Sequence, residues 1–342
     1  MIISQLPSGP YHLLDNVNLV SGTSLVYSRG FHYAWLGAPF DPEKEYLQEE
    51  VGQRIVRQDT SGQITFRFHQ PIEATTIIDS KVVPLNLLHY TNYYHFLIEC
   101  LPSLLYLVST GVVDKHSVLA TGLLHPNMWF GLHYAIQNLG AAMGQDIHIP
   151  IFQSRAMHAI QCRRAVLPAP SSHASELIGG GLTDYSYNAG NIRLLRETFK
   201  PQWTNPTDTP RRKLFIQRNS NYRRVSNAQP VEEMATRAGY EVVDPGQLNF
   251  LEQVRLFSSA SRIIGPTGAW ASNIVFVPDD AKVTVFYPDA TIPESTCWGG
   301  LGRACGVQVD DLYAPISNRY DFQPIHSDFT IPEERLADLL LQ

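Results

Sequence analysis

The chain has 342 residues, more than one hydrophobic core normally serves, so two domains are expected. Hydrophobic residues make up 44% and charged residues 17%, which is typical of folded globular proteins and excludes a disordered chain. The net charge of −6 excludes a general nucleic-acid-binding surface, which needs basic residues to neutralise phosphate.

Cysteine spacing and the N-terminal sequence indicate the compartment. Four cysteines (Cys100, Cys162, Cys297 and Cys305) have neither CxxC spacing nor the density of a disulfide-rich domain, so we expect free thiols. The N-terminus lacks a basic region followed by an apolar one, and no apolar run reaches the roughly 18 residues of a membrane span. We therefore expect a soluble, cytoplasmic protein.

Residues 1–70 alternate short apolar runs with glycine and proline, which predicts a β-rich N-terminal segment. Across residues 71–205, strand patterns alternate with helical patterns, so we expect an α/β domain with parallel strands. Pro102 is expected to kink or split the first helix. The predicted strands are 75–78, 81–85, 117–120 and 146–152, and the predicted helices are 92–108, 127–139 and 192–199.

A stretch with three prolines at residues 201–212 marks the predicted boundary, and residues 206–342 form the second predicted domain. Its regular alternation predicts a Rossmann-like sheet, whose ligands bind at the C-terminal ends of the strands. Asn249 and Glu252 have capping-box spacing at the start of one helix. The predicted strands are 213–217, 241–243, 262–265 and 282–287, and the predicted helices are 231–238, 250–260 and 269–276.

Three polar side chains interrupt the apolar segment of residues 91–102. Asn92, His95 and Glu99 are spaced three and four residues apart, so a helix would project them from one face. Unpaired polar groups are costly in an apolar setting, so such a stripe usually faces a cleft. The alternative is a structural bond between His95 and Glu99 in a capped helix.

Three arginines follow the first strand of the second domain, where an α/β sheet gathers an anionic ligand. Arginine offers a fixed fork of donors that matches phosphate oxygens and stays charged at any working pH. The alternative is a solvated basic turn. The residues of this loop with a predicted ligand role are Arg218, Arg223, Arg224 and Asn227.

A second candidate phosphate site is the turn Gly265-Pro266-Thr267-Gly268, which joins a strand to a helix beginning at Ala269. Glycine permits close backbone approach, and a helix start presents N–H groups and partial positive charge. The sequence contains neither GxGxxG nor GxxxxGK[ST], so it predicts neither a dinucleotide fingerprint nor a P-loop.

The order of these motifs resembles the family 61 glycosyltransferases over residues 75–315. The matching motifs are Asn92-x-x-His95-Phe96-x-x-Glu99-x-x-Pro102, Phe215-Ile216-x-Arg218 with Arg223-Arg224 and Asn227, Phe250-x-Glu252-Gln253-Val254-x-Leu256-Phe257, and Gly265-x-x-Gly268-Ala269-x-x-x-Asn273. Bacterial members of that family resemble capsular-polysaccharide biosynthesis proteins.

The resemblance implies a GT-B fold, in which two Rossmann-like domains face each other across a cleft. It implies an inverting transfer from a nucleotide-diphosphate sugar, with a UDP-sugar favoured, and no obligatory metal or other cofactor. His95 and Glu99 would then act as base and orienter, in either order. Asn92, Arg218, the Arg223–Arg224 pair, Asn227 and the Gly265–Ala269 turn, including Thr267 and Gly268, would bind the donor.

Two positions depart from the family pattern. The family commonly has histidine where this chain has Thr267, and aspartate where it has Glu99. Glu252 is either a ribose ligand or a helix cap. The remaining histidines show no paired metal-ligand spacing, so no metal site is predicted.

The implied partners are the sugar donor and a glycan or lipid-linked glycan acceptor, with peripheral attachment to membrane assembly machinery as one option. The resemblance also predicts a C-terminal helix over residues 331–341 that packs back across the domains. Two alternative functions remain at this stage. One is a catalytically silent nucleotide-sugar-binding subunit, and the other is a different transferase such as a polysaccharide pyruvyltransferase.

Overall fold

In the computed structural model the chain divides into two compact units, Met1–Ser171 and Ser172–Gln342. The structure describes residues 3–4, 10–23, 25–28, 31–34, 55–60, 63–68, 73–87, 90–169, 171–177, 181–204, 211–289, 297–320 and 326–341.

The first unit contains an eight-stranded mixed sheet with the order β1-β4-β3-β2-β10-β7-β8-β9. Strands β10, β7, β8 and β9 pair in parallel, whereas β2 pairs antiparallel with β10 and β3. β5 and β6 form a separate hairpin. The strands are β1 Ile3–Ser4, β2 Tyr11–Val20, β3 Leu25–Ser28, β4 Phe31–Ala34, β5 Ile55–Thr60, β6 Gln63–Phe68, β7 Glu73–Leu85, β8 Ser117–Gly122, β9 Ile151–Ser154 and β10 His158–Pro168.

The N-terminal strands extend this sheet rather than forming the separate segment that the sequence indicated. β2 runs beside β10 along nearly its whole length, from Tyr11 opposite Pro168 to Val20 opposite Ala159. The two strand patterns at 75–78 and 81–85 belong to the single long strand β7. The predicted strand at 146–152 begins only at Ile151, and β10 was not predicted.

The helix predicted at residues 92–108 forms, but in two parts. A π-helix, His95–Cys100, leads into α1, Leu101–Ser109, and the N–H of Leu101 bonds to Phe96 O. Pro102 has no N–H to donate to the carbonyl of residue 98. In a continuous α-helix its ring would also clash with that carbonyl. The wider turn before the proline relieves that clash, so the helix changes type just before Pro102 and does not break there. The other helix of this unit is α2, Pro126–Ala142.

The second unit contains a five-stranded parallel sheet with the order β14-β13-β15-β16-β17. The four predicted strands are confirmed to within two residues at each end. Two antiparallel pairs, β11–β12 and β18–β19, accompany the sheet. The strands are β11 Ser172–Leu177, β12 Gly181–Tyr187, β13 Arg212–Ile216, β14 Glu241–Val243, β15 Ala260–Pro266, β16 Lys282–Pro288, β17 Gln308–Ala314, β18 Ile316–Asn318 and β19 Asp328–Phe329.

The strand order creates a topological switch point in this sheet. Numbered along the chain, the five strands lie in the order 2-1-3-4-5, so successive connections leave β13 in opposite directions. In doubly wound sheets with this order, ligands bind at the C-terminal ends of the first and third strands. Here those are the ends of β13 and β15.

Helices cover both faces of the parallel sheet. One face packs Phe215, Ile264 and Phe286 against α4 and α7. An aromatic cluster links α3, α5 and a 3-10 helix, with ring centroids of Phe199 and Phe250 5.3 Å apart. The helices are α3 Ala189–Phe199, α4 Ala228–Arg237, α5 Phe250–Ser258, α6 Cys297–Cys305 and α7 Glu333–Leu341, with 3-10 helices Lys200–Gln202, Pro245–Gln247 and Ala269–Phe276.

The division between the units lies after residue 171, whereas the sequence predicts a boundary after residue 205. The difference arises because α3 packs within the second unit. Arg196 on α3 is only 4% exposed, and its Nη1 donates to the carbonyls of Val275 and Val277 at 3.0 and 3.1 Å. Its Nη2 pairs with Asp279. These bonds satisfy the carbonyls at the end of the 3-10 helix, so α3 is part of this core.

All four cysteines are free thiols, as predicted. Within the ranges described, no helix combines the length and apolarity needed to cross a bilayer.

We predict that Arg196→Ala lowers the free energy of unfolding by about 3 kcal/mol, because buried carbonyls lose a charged donor. Arg193→Ala is the matched control, since Arg193 lies on the exposed face of α3 and should change stability by less than about 0.5 kcal/mol. Urea unfolding of both variants measures the difference, and equal effects would contradict the role assigned to Arg196.

Candidate functional site

The first unit holds an imidazole–carboxylate pair on its π-helix. Nδ1 of His95 lies 2.6 Å from Oε2 of Glu99, and the two side chains are 22% and 24% exposed. In a π-helix the turn is wider than 3.6 residues, so residues four apart lie nearly above one another. Both groups therefore reach solvent from one short stretch of a largely buried helix.

The bond to Glu99 decides which nitrogen of His95 carries a proton. An ionised carboxylate only accepts hydrogen bonds, so Nδ1 donates to it. The neutral ring then carries its lone pair on Nε2, and the carboxylate stabilises the imidazolium that forms when Nε2 takes a proton. This is the arrangement of a general base held by an orienting acid.

Asn92 begins the same helical segment. Its Oδ1 accepts from the N–H of Tyr94 at 2.9 Å, and its carbonyl accepts from the N–H of Phe96 at 3.1 Å. These are the bonds of a helix cap, which satisfy N–H groups that have no partner within the helix. The structure thus gives Asn92 a capping role, with its side chain exposed at the start of the helix.

Arg218 and the glycine turn come together at the switch point of the second unit. Nη1 of Arg218 donates to Thr267 O at 3.1 Å, and its Nη2 donates to Ser220 Oγ at 3.3 Å. A Cβ at Gly268 would overlap Nη1 of Arg218. At Gly265 a Cβ would lie 2.7 Å from Cβ of Ile216. Gly265 therefore lets the turn lie against the end of β13, and Gly268 leaves room for the guanidinium of Arg218.

Arg218 and Arg223 both contact the ring of Tyr222. Their guanidinium carbons lie 5.3 and 5.1 Å from its centroid, within the range of a cation–π contact. Among the residues described, neither guanidinium has a carboxylate within ion-pair distance. Burial and the neighbouring charge of Arg223 lower the pKa of Arg218 to about 10, so it is charged at neutral pH. Burial also lowers the pKa of Arg223.

Arg224, by contrast, forms an ion pair with a carboxylate of the same unit. Its Nη2 lies 2.8 Å from Oδ2 of Asp328, and its backbone N–H donates to Oδ1 of the same carboxylate at 2.8 Å. Burial opposes ionisation of Asp328, but the bonds from Arg224 outweigh it and lower the carboxyl pKa. Asn227 is similarly occupied, because its amide exchanges two hydrogen bonds with the backbone of Ile331 at 2.8 and 3.0 Å.

Thr267 points its side chain into the protein. The residue is 2% exposed, its N–H donates to Phe286 O at 2.7 Å, and its hydroxyl accepts from Nε1 of Trp298 at 3.0 Å. The 3-10 helix Ala269–Phe276 begins directly after the turn, with Ala269 exposed. The amide of Asn273 donates to Trp270 O at 2.9 Å, which braces this helix start.

Glu252 forms the predicted capping box. Its carboxylate accepts from the N–H of Asn249 at 2.8 Å, and Oδ1 of Asn249 accepts from the N–H of Glu252 at 3.0 Å. Of the two roles considered for Glu252, the structure gives it that of the cap, on the exposed surface of α5.

Three residues of this region were missed or given another role at the sequence level. Tyr222 was not singled out, although an aromatic residue next to arginines signals a cation–π contact. The structure pairs Trp298 with Thr267. Asp328 lies 104 residues from Arg224, and no local pattern connects the two. Within the described ranges, no group of three or more His, Cys, Asp or Glu side chains forms a metal-ligand cluster.

The second unit is thus an α/β unit with Arg218, Arg223 and a glycine turn near its switch point. Residues 93–284 match the family model described as Glycosyltransferase 61. Because this range covers more than half of the chain, the protein belongs to glycosyltransferase family 61, and membership implies glycosyltransferase activity. The range includes His95, Glu99, Arg218 and the glycine turn. A search of curated proteins found no match.

We predict that Thr267→Val and Trp298→Phe are coupled. Each change leaves the other polar group buried without its partner, whereas the double variant removes both groups. Urea unfolding of the four proteins should give a coupling free energy of about 1 kcal/mol. Strictly additive effects would contradict the bond between Trp298 and Thr267.

Proposed function

We propose that this protein is an inverting glycosyltransferase that moves a sugar from a nucleotide-diphosphate sugar, with UDP favoured, to a hydroxyl group of an acceptor. The observation that carries the proposal is the Arg218–Arg223 pair beside a glycine turn at the switch point of the second unit. Family membership supports the reaction class.

The arginine pair fits a diphosphate leaving group. A nucleoside diphosphate that leaves a sugar gains negative charge in the transition state, and preorganised cationic donors stabilise that charge. Arg218 is held by Thr267 and Ser220, so its guanidinium is already oriented before ligand binds. Guanidiniums without a carboxylate partner retain their full attraction for phosphate oxygens.

Two of the predicted donor-binding residues have less support. Arg224 and Asn227 hold Asp328 and Ile331, so we assign them to the support of the loop that carries Arg223. Glu252 is a cap, and the hydroxyl of Thr267 faces Trp298. In our proposal the turn acts through the backbone of Gly265, Gly268 and Ala269.

His95 is proposed as the general base and Glu99 as the residue that orients it. Nε2 of His95 would take the proton of the acceptor hydroxyl as that oxygen attacks the anomeric carbon. In the same step the bond from the anomeric carbon to the diphosphate oxygen breaks, which inverts the configuration. The proton resides on His95, and the electron pair leaves with the diphosphate.

The biological setting is proposed on the family resemblance. A GT-B arrangement would place the base of the first unit opposite the diphosphate site of the second. The acceptor would be a glycan or lipid-linked glycan in the cytoplasmic assembly of a surface polysaccharide, with the protein attached peripherally to the membrane machinery.

A catalytically silent nucleotide-sugar-binding subunit is the second candidate. It is favoured by Thr267, which stands where the family commonly has histidine and whose hydroxyl is bonded to Trp298. Incubation of the purified protein with UDP-sugars separates the two candidates. Release of UDP, by hydrolysis or by transfer, supports the enzyme. Tight binding of UDP-sugars with no release of UDP, whichever acceptor is added, supports the silent subunit.

Arg218→Ala should weaken UDP binding by about 2 kcal/mol, because a charge-assisted contact to phosphate is lost. Arg212→Ala is the matched control. Arg212 lies at the opposite end of the same strand, where its Nε pairs with Glu241 at 2.9 Å, so its loss should leave UDP affinity unchanged. Isothermal titration calorimetry measures both, and unchanged affinity for the Arg218 variant would remove this residue from the site.

His95→Ala should lower turnover by roughly 10²- to 10⁴-fold, and Glu99→Gln should lower it by roughly 10-fold or more. Donor affinity should stay intact in both variants. His116→Ala is the control, because His116 is an exposed histidine of the same unit. Donor-binding titrations and initial rates test the assignment. Loss of donor binding with an unchanged rate would exclude the pair as catalytic residues.

A further inference from the structure

Tyr222 contacts two cationic side chains at once. Its ring is 42% exposed, yet both guanidinium carbons lie within 5.3 Å of its centroid. The ring of His326 meets it edge to face, with centroids 4.8 Å apart. An exposed aromatic ring in a loop is ordinarily free to change rotamer, whereas this one has neighbours that hold it.

The backbone of the loop maintains this arrangement. The N–H of Tyr222 donates to Ser220 Oγ at 3.4 Å, and Ser220 Oγ also accepts from Arg218 at 3.3 Å. Arg223 has a φ of 54°, a left-handed conformation that is uncommon outside glycine, asparagine and aspartate. Its N–H donates to His326 O at 3.0 Å. With the backbone in this conformation, the side chain of Arg223 contacts the ring of Tyr222.

The ring of Tyr222 offsets the repulsion between the charges of Arg218 and Arg223. Two partly buried like charges repel each other, and proteins usually hold them with a carboxylate. Among the described residues no carboxylate pairs with either guanidinium. A carboxylate would also compete with a phosphate ligand, whereas the negative face of an aromatic ring attracts a cation without neutralising it.

We infer that Tyr222 is a positioning residue, whose ring holds Arg218 and Arg223 together at the spacing that engages both phosphates of a diphosphate. The inference rests on the proposed function for the identity of the donor. The ring contributes through its contacts with Arg218 and Arg223, and the hydroxyl of Tyr222 also lies within hydrogen-bonding reach of both guanidiniums. The effect is specific to ligands with two adjacent phosphates, because a monophosphate engages fewer of the paired donors.

The test compares Tyr222→Phe, which keeps the ring, with Tyr222→Leu, which removes it. Full-length proteins are titrated with inorganic pyrophosphate, UDP and UMP, and thermal unfolding establishes that each variant is folded. Loss of the cation–π contacts should weaken binding of UDP and pyrophosphate by roughly 3- to 30-fold in the leucine variant. UMP binding should change less. The phenylalanine variant keeps the ring and loses only the hydroxyl bonds, so it should retain most of the wild-type affinity.

The outcomes separate this inference from the proposed function. If the wild type binds UDP and the leucine variant binds it equally well, the inference is overturned and the proposed function stands. If the wild type binds pyrophosphate but not UDP, and the leucine variant loses it, the inference stands and the proposed donor is wrong. An equal loss in both Tyr222 variants, or for UMP as much as for UDP, would overturn the role of the ring. A wild type that binds none of these ligands would overturn both proposals.

Discussion

The switch point of the second unit depends on the close contact between the guanidinium of Arg218 and the backbone of Gly268. Parallel pairing of β13 with β15 brings the two strand ends side by side, and the absent side chain at Gly268 lets the guanidinium lie against the turn. The carbonyl of Thr267 then orients Arg218. Any larger residue at position 268 would displace the arginine. The missing Cβ at Gly268 therefore determines where the positive charge of Arg218 lies.

Two neighbouring arginines show how backbone conformation divides similar residues between roles. The backbone of Arg223 is in the left-handed region and its side chain contacts the ring of Tyr222, whereas Arg224 pairs with Asp328. The first charge has no carboxylate partner among the described residues, and the second is neutralised. The ion pair of Arg224, together with the bonds between Asn227 and Ile331, ties the loop to the C-terminal part of the unit. A structural clamp thus supports the charged residues that are proposed to bind donor.

In the first unit, a covalent constraint shapes the imidazole–carboxylate pair. Pro102 cannot continue the hydrogen-bond pattern of an α-helix, and the preceding residues form a π-helix. π-Helical turns are frequent at functional sites because they redirect side chains. Here the wider turn places His95 over Glu99 at 2.6 Å. The pair, its tautomer and its exposure all follow from this local geometry.

The sequence by itself determined the α/β class, the four strands predicted for the second parallel sheet, the capping box at Glu252 and the proximity of His95 to Glu99. These features depend on hydrophobic periodicity or on residues within one turn, which local patterns record. Only the tertiary structure decided that β2 joins the sheet beside β10, that α3 belongs to the second unit, and that Asp328 forms an ion pair with Arg224. Those outcomes depend on pairings between residues far apart in the chain, and identical local patterns are compatible with many such pairings.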